Sequence, residues 1–350
     1  MSGGVDSSVA AALLAEAGHE VIGVSMQLYD QRDGKAEFGN CCTIDDLQDA
    51  RRVASDLGIP HYIMNFERQF KETVVSNFVH EYTVGRTPLP CTHCNSDLKF
   101  STLLDRTLGF GGDRLATGHY ARVEQRADGR YMLKRGTDPA KDQSYFLFSL
   151  NQTQLAHATF PVGGFNKVQV RHEAQRLGLR VAEKPDSQEI CFIPNGNYAK
   201  FVGSKNPSVM REGNIVDQTG SCVGHHEGVH HFTIGQRKGL GISAPTPLYV
   251  LELSSQTNTV VVGPRTQLEQ TKLTAIKTNW IACNAPTEWM QVRAQIRHRH
   301  TAAPGRVREL GNGQAEFYFD DPQSAITPGQ AVVFYNNDTV IGGGWINVES

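Results

Sequence analysis

The sequence predicts an α/β fold in its first half, a doubly wound parallel sheet, giving way to an all-β second half. Three observations predict it. Helical and strand periods alternate from the N-terminus. From about Gly213 onward only short alternating segments remain, separated by Gly, Pro, Asn and Asp. A Gly/Ser/Asn/Pro-rich stretch at 194–214 lies between the two textures and is the expected boundary, with a weaker one near 272.

Residues 7–17 read as a helix closed by Gly18, and the run Val21 to Met26 follows as a buried strand. Thr43 caps a second helix over 45–57 that ends at Gly58 and leads into the strand HYIMNF at 61–66. A helix follows over 67–82. The stretch GRTPLPCTHCN at 85–95 carries two prolines and is expected as loop, after which LKFSTLLDRTL resumes helical spacing. RLATGHYARVEQ and RYMLKR, joined by Ala-Asp-Gly, read as a strand and then a hairpin. The second half offers GNIVD, PLYVLEL, NTVVVG, QVRAQIR, QAEFYFD and AVVFYN as strands.

Bulk properties narrow the function. A chain of 350 residues buries ordinary cores without metal or disulfide support. Seven cysteines, an odd number, with no N-terminal apolar leader, point to a reducing cytoplasm and to chemical use of some of them. Apolar runs such as Val9 to Ala15 fall far short of the roughly 20 residues that cross a bilayer, so a soluble protein with no membrane partner is expected. A net charge of −2 gives no global attraction to phosphate, so nucleic acid, if bound, needs locally gathered cations.

The opening Ser2-Gly3-Gly4-Val5-Asp6-Ser7-Ser8 sets two glycines and three hydroxyls where a helix begins. Glycines admit an anion close to the backbone, and helix-start N–H groups and hydroxyls donate to phosphate oxygens. A serine-capped helix after a glycine turn is the plain alternative. No Lys follows, and G-x-G-x-x-G is absent. SGGVDSS resembles the pyrophosphate-binding signature of the N-type ATP pyrophosphatases, which adenylate an oxygen and release pyrophosphate. With CCTIDDLQDARRVA, TPLPCTHCN and LKF, ATGHYAR, KDQSYFL, KPDSQEICFIP, FTIGQRKGLGI and TPGQAVVFY in this order, nearly the whole chain resembles the MnmA-type tRNA 2-thiouridylases.

That resemblance implies an ATP pyrophosphatase domain over 1–203, a small central β domain over 204–272 and a C-terminal β-barrel over 273–350. It implies ATP contacts at Ser2, Gly3, Gly4, Val5, Asp6, Ser7, Met26 and Gly118, with Mg2+ at Asp6. It also implies the reaction: ATP activates the C2 oxygen of uridine 34 as an adenylate, and a persulfide supplies the sulfur. The substrates would be glutamate, glutamine and lysine tRNAs, the sulfur would come from a persulfide carrier fed by a cysteine desulfurase, and the protein would act as a cytoplasmic monomer. The family usually carries an apolar strand before the serine and glycine loop, whereas this sequence opens on the loop. The expectation is either a misassigned start or a sheet without that strand.

Sulfur transfer needs one cysteine to carry a persulfide and a second thiolate to resolve it. By resemblance Cys191 carries the persulfide and Cys94 is the nucleophile that ends in a transient Cys94–Cys191 disulfide, with Asp186 in the same loop. Cys91-x-x-Cys94 with His93, and Cys191 as a further ligand, is the alternative of a zinc or iron–sulfur site. Cys41, Cys42, Cys222 and Cys283 read as small packed residues.

For RNA, Arg293, Arg297, His298, Arg299 and His300 cluster on a strand and its end, with Arg306 and Arg308 nearby. They form either a phosphate track or a charged strand edge that resists aggregation. The resemblance puts tRNA contacts at Lys141, Asp142 and Gln143, at Arg297, His298 and Arg299, at Gln330, and at His119, which is otherwise a packed core histidine. Arg237 and Lys238 are an addition to these. The base-facing triplet, usually Asn-Pro-Asp or Asn-Pro-Cys, reads Leu89-Pro90-Cys91 here, so Leu89 offers no amide and Cys91 replaces any aspartate base. Two rival classes remain on sequence: an ATP pyrophosphatase acting on a small molecule, and an RNA-binding or redox-sensing protein that no longer handles ATP.

Overall fold

Residues 1–29, 43–186, 190–193 and 196–347 are described by a computed structural model. The chain divides into two units. The first takes Met1–Val74, Cys91–Gly196 and Asp338–Val340; the second takes Val75–Pro90, Asn197–Asn337 and Ile341–Ser350. The change at Gly196/Asn197 falls within the 194–214 stretch.

In the first unit, helix α1 (Val5–Glu16) precedes strand β1 (Gly23–Gln27), and α2 (Ile44–Asp56) precedes β2 (His61–Asn65), which pairs with β1 in parallel. Thr43 opens α2 with a reciprocal capping box to Asp46, which satisfies two otherwise orphaned N–H groups. Alternate apolar residues of α1 and α2, Val5, Val9, Ala12 and Val53, pack into one core with Tyr120, Val162, Val170 and Ala174.

The buried strand expected over 21–26 starts later and is only half-buried. Ile22 is 53% exposed, and the positions that go inside are Gly23 and Ser25. Ser25 turns polar chemistry inward: its hydroxyl donates to the Met1 carbonyl at 2.6 Å and lies 2.9 Å from His61 Nε2. The apolar side chains therefore take the less covered face.

After β2 come α3 (Glu67–Phe70), a π-helical turn Lys71–Val75 and α4 (Ser76–Thr83), the last in the second unit. The run expected as loop around the two prolines is instead helical from Pro90. The short α5 (Pro90–His93) continues as a π-helix over Cys94–Leu103 and as α6 (Leu104–Gly109). A proline breaks a helix by lacking an N–H and crowding the preceding turn; at the first helical position neither matters.

The single strand expected over 114–125 is split into β3 (Leu115–Ala116) and β4 (Ala121–Gln125). Gly118 between them lies against the backbone of Asp6 and Ser7, so the chain there serves a close approach rather than a ladder. β4 forms the expected hairpin with β5 (Tyr131–Arg135). The unit is completed by α7 (Gln152–His157), by β6 (Ala158–Thr159), parallel to β3, and by α8 (Lys167–Arg176), packed on α1.

In the second unit, α9 (Tyr198–Lys205) leads to a sheet of β7 (Gly213–Val216), β8 (Cys222–His226), β9 (Tyr249–Ser254) and β10 (Thr259–Gly263), in the order β8-β7-β10-β9. Ile215, Val250, Val260, Val262 and Phe232 form its core.

The remaining strands are β11 (Glu269–Trp280), β12 (Met290–Gln295), β13 (Ala303–Gly311), β14 (Gln314–Ser324), β15 (Ala331–Asn336) and β16 (Thr339–Asn347). They run in the order β11-β14-β13-β12-β15-β16, and β16 returns to β11. Closure removes the free edges that an open sheet would leave. Phe317 stacks on Phe334, and Phe334 on Trp280, inside this barrel.

Candidate active site

At the start of α1 the helix cap is Gly4, and no side chain caps the first turn, so its leading N–H groups point outward as anion donors. Ser7 Oγ accepts from Ser2 N at 3.1 Å and lies 3.2 Å from Ser2 Oγ, which brings two hydroxyls together beside them. Gly3 has φ +73°, and a Cβ there would sit 2.1 Å from the Asp46 carbonyl oxygen. A Cβ on Gly118 would sit 2.6 Å from Asp6 C and Ser7 N. The loop is thus held between the first turn of α2 and the 117–119 segment, with glycine required on each side. Met26 lies on β1, opposite Met64.

A ladder of charges runs away from this loop. Asp6 accepts from Lys167 Nζ at 2.8 and 3.0 Å and from the Tyr120 hydroxyl at 2.7 Å. Lys167 also reaches Asp186 at 2.7 Å, and Asp186 is held by Lys141 at 2.7 Å and Arg171 at 3.4 Å. Burial works to raise the Asp186 carboxyl but is outweighed by the bonds from Lys141 and Lys167, so its pKa falls below the usual carboxylate value. Burial, and then the bond to Asp6, push the Tyr120 phenol up, which keeps it a donor.

Cys94 opens the π-helix and is partly buried, while Cys91 is exposed. A wider turn aligns residues five apart, which puts Lys99 on the side of Cys94. Lys99 Nζ donates to Asn95 Oδ1 at 3.1 Å, and buried Asn95 donates to the Phe146 carbonyl at 3.2 Å. Unlike Lys141, Lys167 and Lys184, Lys99 has no carboxylate partner among the described residues. Thr92, fully buried, keeps Oγ1 without a partner among the described residues. His93 Nδ1 lies 2.8 Å from Asp97 Oδ2.

Cys191, also partly buried, accepts from the Tyr29 hydroxyl at 3.3 Å. Tyr29 meets Phe70 edge-on, and Phe70 meets Phe192 in the same way, each at 5.5 Å between ring centres. Phe70 belongs to α3, and α3 also packs on the π-helix of Cys94. One short helix therefore braces both cysteine segments. Ser187, Gln188 and Glu189, like Cys41 and Cys42, lie outside the described residues. Among the described residues no three His, Cys, Asp or Glu side chains gather in a metal-binding group. Cys222 is exposed and Cys283 partly buried.

Several residues expected at the RNA have internal partners. Asp142 is buried and accepts from Arg135, Gly136 N and the Ser144 N–H and hydroxyl, at 2.5–3.1 Å. Gln143 exchanges bonds with the Tyr120 backbone. Of that triplet, Lys141 faces the charge ladder.

His119 lies 2.7 Å from Thr117 Oγ1 through Nδ1 and packs edge-on to Phe160. Desolvation, aided by the Lys99 charge, holds its pKa well below the usual histidine value, so the ring is neutral. Leu89 and Pro90 are buried. Gln330 donates to the carbonyls of Thr87 and Pro88 at 3.1 and 3.2 Å, clamping the run that leads to them.

The basic cluster divides. Arg297, His298 and Arg299 are exposed on a turn past β12 that Gln295 fixes through two backbone carbonyls. Arg293 is exposed on β12, while His300 is tied to Gln323 Oε1 at 3.0 Å and lowered by burial. Arg308 pairs with Glu316 and covers Trp289, and Arg306 covers Trp289 and Tyr318. Arg237 and Lys238 are exposed. Sequence reasoning missed Lys99, Tyr120 and Lys167: Tyr120 and Lys167 act with Asp6 far away in the chain, and Lys99 is one helical turn from Asn95 in a π-helix that the sequence does not announce.

An α/β nucleotide-loop domain followed by a small β domain and a closed β-barrel defines a three-domain class of HUP proteins. Residues 1–195 match the tRNA methyl transferase HUP domain, 200–264 the tRNA methyl transferase PRC-barrel domain and 270–346 the aminomethyltransferase beta-barrel domain. The chain is 53% identical to the tRNA-specific 2-thiouridylase MnmA of Geotalea uraniireducens over 99% of its length and 93% of that protein's. It is 51% identical to those of Geobacter metallireducens and Magnetococcus marinus, over 99% of this chain and 95% and 97% of theirs. The chain belongs to the MnmA family of tRNA-specific 2-thiouridylases.

Proposed function

We propose that this protein is a tRNA-uridine 2-sulfurtransferase that adenylates C2 of uridine 34 with ATP and delivers sulfur from a persulfide. Formation of 2-thiouridine in tRNA follows from family membership. The observation that supports the finer chemistry is the bracing of the Cys94 and Cys191 segments by α3, in the unit that carries the serine and glycine loop.

The uracil C2 oxygen is a very poor leaving group, so it first attacks the α-phosphate of ATP and pyrophosphate departs onto the N–H groups and hydroxyls of Ser2 to Ser7. The terminal sulfur of a Cys191 persulfide then bonds to C2, and AMP leaves with the former C2 oxygen. Cys94 thiolate attacks Cys191 Sγ, which breaks the S–S bond. The sulfur stays on C2, and a Cys94–Cys191 disulfide remains for an external thiol to reduce. Gly118 and Met26 flank the nucleotide. Lys99 offers its uncompensated charge to the anion formed beside Cys94.

Mg2+ bound through one carboxylate and substrate phosphates suits Asp6 in kind, provided Lys167 yields one carboxylate oxygen. The wobble base leaves its stack to reach these groups. Glutamate, glutamine and lysine tRNAs, a carrier loaded by a cysteine desulfurase, a cytoplasmic location and a monomeric state complete the proposal. Its test is mass analysis of tRNA nucleosides after incubation with ATP, magnesium and a persulfide donor. The expected result is 2-thiouridine with the parent chain and none with Cys191→Ser. Full turnover by Cys94→Ser and Cys191→Ser would sink the relay.

A further inference from the structure

Strand β1 ends at Gln27, and two residues later the chain sets Tyr29 against the sulfur of Cys191. Tyr29 is fixed at three points, all within the first unit. Its carbonyl accepts from Gln27 Nε2 at 3.5 Å, and the same amide donates to Glu67 Oε1 at 2.5 Å. Glu67 opens α3, so the strand end is tied to that helix. The Tyr29 ring stands edge-on to Phe70, which closes α3 and is 1% exposed. The hydroxyl is the third point: it donates to Cys191 Sγ at 3.3 Å.

Cys191 is fixed from its own side. Phe192, also 1% exposed, packs edge-on to the same Phe70 ring, and the Ile193 N–H donates to the Ile190 carbonyl, closing a turn around the cysteine. One buried ring thus sets both the donor and the sulfur. A phenol donates at neutral pH, and a thiolate only accepts. Hydrogen bonds to a charged acceptor are roughly twice as strong as neutral ones, so this bond is strongest when Sγ is the anion that attacks another sulfur. The relay described above begins with Cys191 already loaded, and loading is itself a sulfur transfer.

We propose that Tyr29 is a catalytic residue of that loading step: its hydroxyl holds Cys191 Sγ as a thiolate aimed at the terminal sulfur of an incoming persulfide. Sγ bonds to that terminal sulfur, the S–S bond of the donor breaks, and the donor departs as a thiolate. The terminal sulfur keeps its proton, so Cys191 ends as a persulfide and no outside oxidant or reductant takes part. Tyr29 keeps its own proton throughout and acts as a preorganised dipole. This role rests on the relay through Cys191 and Cys94 proposed above.

The test is loading of Cys191 by glutathione persulfide, in a Cys94→Ser background so that no resolving thiol removes the sulfur. Mass analysis of the peptide that carries Cys191 reads the added sulfur against time and donor concentration. Tyr29→Phe deletes the hydroxyl and keeps the ring on Phe70; Tyr29→Leu deletes both, and thermal melting reports folding. For Tyr29→Phe the limiting rate is expected to fall ~10-fold, with the half-saturating donor concentration within about twofold and Tm unchanged, as befits one lost hydrogen bond to a charged group. Alkylation of Cys191 by iodoacetamide, which needs the same thiolate, should slow by a similar factor. Tyr29→Leu should lose at least as much rate, and Tm as well. A parent-like loading rate in Tyr29→Phe would overturn the proposal, and beside a slow Tyr29→Leu it would leave the ring as packing alone. A loss confined to the half-saturating concentration would also overturn it, by placing Tyr29 in donor access. Failure of the relay looks different and ends both ideas: the parent chain then takes up no sulfur at Cys191, or Cys191→Ser still makes 2-thiouridine. Failure of the Tyr29 role alone leaves Cys191 loading at one rate with and without the hydroxyl.

Discussion

Replacing Gly118 with alanine puts a Cβ 2.6 Å from two backbone atoms of the nucleotide loop, Asp6 C and Ser7 N. Ordinary contact begins at 3.4 Å, so about 0.8 Å of overlap must be relieved. Neither side has a rotamer to change, because both partners are main chain. Either the 117–119 segment retreats, taking His119 and its bond to Thr117 with it, or the first turn of α1 shifts and turns its N–H groups away from the phosphate. A displacement near 1 Å at a positioning element costs on the order of 100-fold in rate. We expect kcat/KM for ATP-dependent tRNA thiolation to fall by about that factor in Gly118→Ala. Gly164→Ala is the control, since a Cβ there meets nothing within 4 Å and its φ is not in the left-handed region. Both variants are assayed for pyrophosphate release and for thermal unfolding. Gly118→Ala within twofold of the parent in kcat/KM, at an unchanged Tm, would refute the idea that this glycine seats the loop.

Other outcomes follow from the same geometry. Lys99→Met should cut the thiolation rate at least ~10-fold while tRNA affinity stays within about twofold, as expected of a charge that acts in the transition state; equal losses in both would point to a structural role. Asp142→Ala takes away the buried acceptor shared by Arg135, Gly136 N and Ser144, which costs about 1–3 kcal/mol. Urea unfolding should show that loss, and parent-like stability would contradict the structural role. His230 is 1% exposed, and its pKa is pushed down to about 4, first by burial and then by the neighbouring His231 and His226. A histidine depressed on folding contributes stability that is whole above its unfolded pKa near 6.5 and is lost as pH falls toward 4, up to roughly 3 kcal/mol. Urea midpoints measured between pH 7 and pH 4 should fall accordingly, and less steeply in His230→Phe.

How much of this was legible depended on how local the cause was. The α2 cap is a four-residue signal and was read correctly from Thr43. The alternating strands of the second half carry their period on their face: β12, β14 and β15 form where the sequence alternates in QVRAQIR, QAEFYFD and AVVFYN, whereas β11, β13 and β16 are not singled out by it. Over 85–95 the two prolines suggest loop, whereas Pro90 starts a helix, a position where its missing N–H costs nothing. The charge ladder was illegible: Asp6, Tyr120, Lys141, Lys167 and Asp186 lie far apart in the chain, and nothing in the sequence around Lys167 says that a carboxylate waits for it. Asp142 and Gln143 were associated with RNA by resemblance, yet their side chains meet Arg135, Ser144 and Tyr120.

That last case separates two ways in which a motif serves a substrate. Residues of Lys141-Asp142-Gln143 need not touch RNA to matter to it. Asp142 gathers Arg135, Gly136 and Ser144 into a fixed turn, and Gln143 binds the Tyr120 backbone, whose hydroxyl in turn holds Asp6 at the nucleotide loop. The motif is therefore wired to the phosphate end of the site through Tyr120, and through Lys141 to Asp186, five residues before Cys191. Tyr120→Phe isolates this link, because it removes one hydroxyl and keeps the packing. If the wiring carries function, Tyr120→Phe should slow pyrophosphate release several-fold, as the loss of one charge-assisted hydrogen bond does, with Tm nearly unchanged. A parent-like rate with a lowered Tm would mean that Tyr120 serves only the core formed with Val9, Val162 and Val170.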